Sequence, residues 1–119
     1  MTPFGLKIRA LRDQRGMSLK QMADELNVSS AYLSALEHGQ RGRPSPGLVM
    51  QILGCLNVIW DEAEEIKALA ELSHPRVTID TAGLSPAATE LANRLSLTIK
   101  RLPEDSLQAM LALLKEQGP

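Results

Sequence analysis

The sequence predicts an all-α protein, and three observations carry that prediction. Apolar residues recur at spacings of three and four along most of the chain. Capping residues and prolines stand where these runs begin, and glycine or asparagine stands where several end. Aromatic residues are scarce: among 119 residues there is one Phe, one Trp and one Tyr, while 44% are hydrophobic. The core must therefore be built from Leu, Ile, Val, Met and Ala, which suits packed helices.

The first helix is expected over Phe4 to Arg15, with Phe4, Ile8 and Leu11 on its apolar face and Gly16 as its stop. Ser18 can cap a second helix over 19–26, with Gln21 three residues on to complete a capping box. Leu19, Met22, Ala23 and Leu26 recur along it at helical spacing, and Asn27 follows, a residue that tolerates the left-handed conformation at a helix end. Ser29 caps a third helix over 30–38, which turns Leu33 and Leu36 inward and stops at Gly39. Two short helices joined by so tight a turn form a helix-turn-helix. Ala23 lies where their axes should cross, and a bulky side chain there would push them apart. A loop, GQRGRPS at 39–45, leads to Ser45 as cap and Pro46 as first residue of a fourth helix running to about Leu56. The fifth helix covers about 59–73. Ile59, Ala63, Ile66, Leu69, Ala70 and Leu72 are expected to pack inward, with Asp61, Glu62, Glu64 and Glu65 in water. His74-Pro75 breaks the pattern.

Beyond the break the signal changes. VTIDT at 77–81 alternates β-branched and polar residues, a short strand signal. AGLSP reads as a turn, and Ser85-Pro86 opens a sixth helix carrying Leu84, Ala88, Leu91, Leu95 and Ile99 or Leu102. Pro103 with Glu104 and Asp105 opens a seventh, whose LQAMLALL segment is apolar nearly all round. The chain is thus expected to divide into 1–74 and 75–119. A 45-residue unit this apolar cannot bury its own surface well. It must pack on the first domain, on a second copy of itself or on another protein, and self-association is the favoured reading.

The helix-1 run IRALRDQRG (8–16), Ala23, the VS-AYLS-LE-G string (28–39) and PSPGL (44–48) together resemble the Cro/repressor-type (XRE) helix-turn-helix family. The resemblance covers residues 4–58. It implies a five-helix DNA-binding domain whose third helix enters the major groove, followed here by a short strand and two C-terminal helices.

Charge fits this division. The net charge is −1. Residues 1–58 hold seven Lys and Arg against four acids, and residues 59–119 hold six against ten. A basic half would face DNA and an acidic half would face away, although an excess of three positive charges over 58 residues is also ordinary. No apolar run approaches the ~20 residues of a membrane span. The N-terminus carries no secretory pattern, and a cytoplasmic location is expected. The single Cys55 excludes an internal disulfide and a cysteine-rich metal site, and its apolar helix predicts a buried structural thiol. His38 and His74 stand alone, and neither HExxH, GxSxG nor a phosphate-binding glycine loop is present. No enzyme, metal or cofactor is expected. His38 would sit in the last turn of the third helix, where a cation suits the dipole.

The resemblance places base reading on the exposed face of the third helix, here Ser30, Ala31, Ser34 and Ala35. These side chains are short. Serine can hydrogen-bond several base edges and alanine can meet a thymine methyl, but neither makes a bidentate contact. Direct readout per half-site should be weak, and Ser30 as a mere helix-start residue is the alternative. Phosphate contacts are expected from Arg41 and Arg43, from Tyr32, and from Ser18 and Lys20 at the start of the second helix. A solvated loop is the alternative for the two arginines. The family's usual first residue of the second helix is Gln, where this chain has Leu19. Arg12 and Glu37 are implied to meet as an ion pair behind the third helix, the alternative being two unrelated surface charges.

These readings converge on a sequence-specific DNA-binding regulator of repressor type that binds double-stranded DNA as a homodimer. Val77, Ile79, Leu91, Leu95, Leu107, Leu111 and Leu114 would form the dimer interface, with 77–81 pairing antiparallel across the dyad or remaining a solvated loop. The alternative is an antitoxin-like protein that binds a toxin through 75–119 and DNA through 1–58. A third reading is a protein-interaction module without DNA binding.

Overall fold

In a computed structural model, residues 1–118 are described, and among them the regular structure is helical throughout. The chain divides into two units, Met1–Val77 and a second from Thr78 onward.

The first unit holds α1 (Pro3–Gln14), α2 (Leu19–Leu26), α3 (Ser30–Glu37), α4 (Pro46–Cys55) and α5 (Trp60–Glu71). Local chemistry defines most of their ends. The Thr2 hydroxyl accepts from the Gly5 N–H at 3.0 Å to start α1. Ser18 and Gln21 form a reciprocal capping box at α2, with bonds of 3.0 and 2.7 Å. Ser29 caps α3 through the Tyr32 N–H at 3.0 Å, and Ser45 caps α4 through the Leu48 N–H at 3.2 Å. Asn27 adopts φ 60° after α2 and Gly39 φ 78° after α3, so each helix closes in a left-handed residue.

The core joins all five helices. Phe4, Ile8 and Leu11 from α1 meet Met22, Ala23 and Leu26 from α2, Leu33 and Leu36 from α3, Val49, Ile52 and Leu53 from α4, and Ile66 and Ala70 from α5. Each large aliphatic side chain withdrawn from water contributes about 1.5–3 kcal/mol before entropy is counted. α1 packs on α3 and α5, α2 on α3 and α4, and α4 on α5. Ser73 clasps the two ends of the unit together. Its buried hydroxyl accepts from the Phe4 N–H at 2.9 Å and donates to the Leu69 carbonyl at 2.6 Å.

Three expectations need correction here. Ile59 and Leu72 do not pack inward: they are 64% and 72% exposed. They are the residues flanking α5, outside its helical turns, and Trp60 at φ 58° redirects the chain as α5 begins. Cys55 is half-buried rather than buried, its thiol donating to Glu25 Oε2 at 2.9 Å.

The second unit holds α6 (Pro86–Thr98), a 3₁₀ turn (Ile99–Arg101) and α7 (Glu104–Glu116). The short strand expected over 77–81 is absent: the segment has no regular structure. Strand hydrogen bonds need an extended neighbour, and no strand exists among the described residues to provide one. The end of the segment is instead drawn into a turn. Asp80 Oδ1 accepts from the Ala82 N–H at 2.9 Å, and the Thr81 carbonyl accepts from the Leu84 N–H at 3.0 Å. No described residue of α6 or α7 is buried, and Leu91, Leu97, Leu111, Leu113 and Leu114 are exposed. No described helix is long and apolar enough to cross a membrane.

Candidate nucleic-acid interface

The α2–turn–α3 hairpin presents the start of α3 to solvent. Ser30 and Ala31 are exposed, whereas Ser34 and Ala35, one turn on, are half-buried. Tyr32 is half-buried as well. The face offered to a ligand is therefore narrow, short and uncharged. The other end of α3 is polar: His38 Nδ1 lies 2.8 Å from the Ser34 carbonyl.

Behind this face the Arg12–Glu37 pair is buried, with side chains 8% and 4% exposed. Arg12 donates through Nε to Oε2 at 3.3 Å and through Nη2 to both carboxylate oxygens at 3.1 Å. Its Nη1 reaches the Met17 carbonyl at 3.4 Å, just before α2. One guanidinium thus ties α1, the approach to α2 and the end of α3 together. A forked pair of this kind fixes orientation as well as distance.

A second device at the same crossing escaped the sequence reading. Gly5 lies against the backbone of Glu37, and a Cβ built on Gly5 would stand 2.1 Å from the Glu37 carbonyl oxygen. The Glu37 carbonyl accepts from the Thr2 N–H at 3.2 Å. α1 and α3 touch backbone to backbone here, which requires glycine. A glycine between Phe4 and Leu6 in a first helical turn was the available signal. Ser73 was missed too, and no motif announces it.

The expected phosphate-binding groups lie at helix starts and in the loop after α3. Lys20 is exposed beside the first turn of α2. The Ser18 oxygen accepts the Gln21 N–H, which leaves its hydroxyl proton free to donate. Arg41 is exposed and forms no ion pair among the described residues. Arg43 differs: its Nη1 meets Glu71 Oε2 at 2.7 Å, an exposed bridge from the loop to α5. Such a bridge contributes about 0–1 kcal/mol, so a phosphate can displace Glu71, but Arg43 does not begin free. No described cluster of three or more His, Cys, Asp or Glu side chains could hold a metal ion. Burial, and then Glu25, push the Cys55 thiol up to about 12, which leaves it protonated and inert at neutral pH.

Residues 8–62 match the family described as Helix-turn-helix, and the α2–turn–α3 hairpin lies within that match. Two proteins of Bacillus subtilis (strain 168) resemble about half of this chain. The chain is 36% identical over 61 residues to the uncharacterized HTH-type transcriptional regulator RghRB, across 51% of this chain and 44% of that one. It is 34% identical over 61 residues to the HTH-type transcriptional repressor RghR, across 51% and 45%. The match spans less than half the length of either relative. A chain of a solved SinR protein/SinI protein complex aligns with 96% of this chain and 96% of its own length, at 21% identity and a TM-score of 0.46.

Proposed function

We propose that the protein is a dimeric, sequence-specific DNA-binding transcriptional regulator of repressor type, which acts by occupying an operator. The carrying observation is the exposed start of α3, held rigidly from behind by the buried Arg12–Glu37 pair on a helix-turn-helix domain. A rigid helix of short side chains suits close approach to the floor of a major groove. Ser30 and Ala31 would meet base edges, with Ser34 and Ala35 at the margin. Lys20, Arg41 and the Ser18 hydroxyl would hold phosphates, joined by Arg43 once it leaves Glu71 and by Tyr32.

A face this short discriminates poorly alone, and a two-fold dimer would read two half-sites about 34–36 Å apart. The second unit supports self-association. Units near 40 residues usually need oligomerisation or cross-links to be stable, and none of the described residues of α6 or α7 is buried. Leu91 and Leu95 on α6, with Leu107, Leu111 and Leu114 on α7, would form the seam. Selection of bound sequences from a random duplex library tests the reading. Enrichment of a two-fold symmetric site is expected, and failure to enrich any sequence would overturn it. The exposed Leu91, Leu111 and Leu114 keep a second reading open, in which the second unit covers itself with a different protein, as an antitoxin does with its toxin. A chain that stays monomeric until such a partner is added would favour that reading.

A further inference from the structure

The first unit does not end with α5. Its last residues return to the loop that follows α3. His74, Pro75 and Arg76 line one polar concavity of about 430 Å³ together with Gly39, Gln40 and Gly42. Two features hold them there. Ser73, the residue before, is fixed by its hydrogen bonds to Phe4 and Leu69. Pro75 lies alongside Gly39, 3.8 Å from where a Cβ would stand, and the Thr2 methyl lies 2.9 Å from the same point.

The charge of this concavity is one-sided. No carboxylate lines it. Glu37, two positions before Gly39, is taken by Arg12, and Glu71, three before His74, is taken by Arg43. Arg41, between two of the lining residues, and Arg76 both lack an ion-pair partner among the described residues. Two exposed arginines at an open concavity do not make a cage for one small anion. They suit an extended polyanion, and duplex DNA carries one negative charge per about 1.7 Å of its axis.

We propose that Arg76, with His74 beside it as a further hydrogen-bonding group, meets the phosphodiester backbone of the same duplex that α3 reads, continuing the track begun by Arg41. The proposal rests on the DNA-binding reading. It makes the segment joining the two units part of the DNA-facing surface.

The test uses the full chain, a duplex of mixed sequence about two helical turns long, and affinity measured by fluorescence anisotropy across a salt titration. Each phosphate contact contributes about 0.9 to the slope of log affinity against log salt. Arg76→Gln is expected to lower the slope by about that amount. Arg94→Gln removes an arginine bound to Glu90 on α6 and is expected to leave the slope unchanged. Arg76 is exposed, so thermal unfolding of the variant should match the parent. A parent that binds with the usual salt dependence, beside an Arg76→Gln slope equal to it, overturns this inference alone. A parent with no salt-dependent affinity for duplex DNA overturns the DNA-binding reading and this inference with it.

Discussion

Gly5 and the Arg12–Glu37 pair act on the same end of α3, one by close approach and the other by charge. Gly5→Ala would place a methyl group 2.1 Å from the Glu37 carbonyl oxygen, so α1 or α3 must move. Overpacking of this kind costs about 1–3 kcal/mol. Chemical unfolding should show at least that loss, and an unchanged midpoint would mean that the two helices are not in backbone contact. Removing Arg12 alone would leave Glu37 charged and buried, a loss of about 3–5 kcal/mol. A double-mutant cycle with Arg12→Ala and Glu37→Ala isolates the coupling between them, and a coupling near zero would leave them as independent charges. Cys55 makes a quieter prediction. Its proton is held above the ordinary value of 9.0, up to about 12. The unfolded chain releases that proton first, so the protonated thiol's contribution to stability is fully present and independent of pH below 9.0, and is lost as pH rises from 9.0 toward about 12. Alkylation of the folded protein at neutral pH should be far slower than that of the unfolded chain, and equal rates would contradict the assigned environment.

At the scale of the element, the decisive one is α3. Ala31 is exposed at its start and carries no charge. Ala31→Arg should either weaken binding to the selected site or shift its preference toward guanine at one position, because arginine reads guanine through two hydrogen bonds. A selected site and an affinity that both stay the same would remove α3 from the groove. The helices themselves were legible in the sequence wherever caps and spacing agreed, as at Ser18-Gln21, Ser29, Ser45-Pro46 and Ser85-Pro86. What failed was legible only in three dimensions. Ile59 and Leu72 have the spacing of an inward face, but they are the two cap residues of α5 and lie outside its turns, and at the start of the helix Trp60 turns the chain at φ 58°. The alternation in VTIDT is real, but a strand depends on a partner and not on its own pattern. Arg43 is bound by a glutamate 28 positions away, which no local motif reveals. The two loop arginines are accordingly expected to differ: Arg41→Ala should reduce the salt slope by about 0.9, and Arg43→Ala should reduce it less, since parting from Glu71 offsets part of its contact.

Over the whole molecule, a well-packed first unit is followed by a second that buries none of its own described helical residues. The first unit presents at the start of α3 only short exposed side chains, too short to be selective alone if they read DNA as proposed, and the second presents leucines that remain in water in a single chain. Each deficiency is met if two copies join through α6 and α7. The most direct test is the mass of the complex on a duplex carrying the selected site, for the full chain and for a chain ended after Val77, which keeps the complete first unit and Arg76. With micromolar protein and duplex in excess, so that independent chains spread over separate duplexes, light scattering should find two copies of the full chain on each occupied duplex and one copy of the shortened chain. One copy of the full chain, or two of the shortened one, would contradict the account.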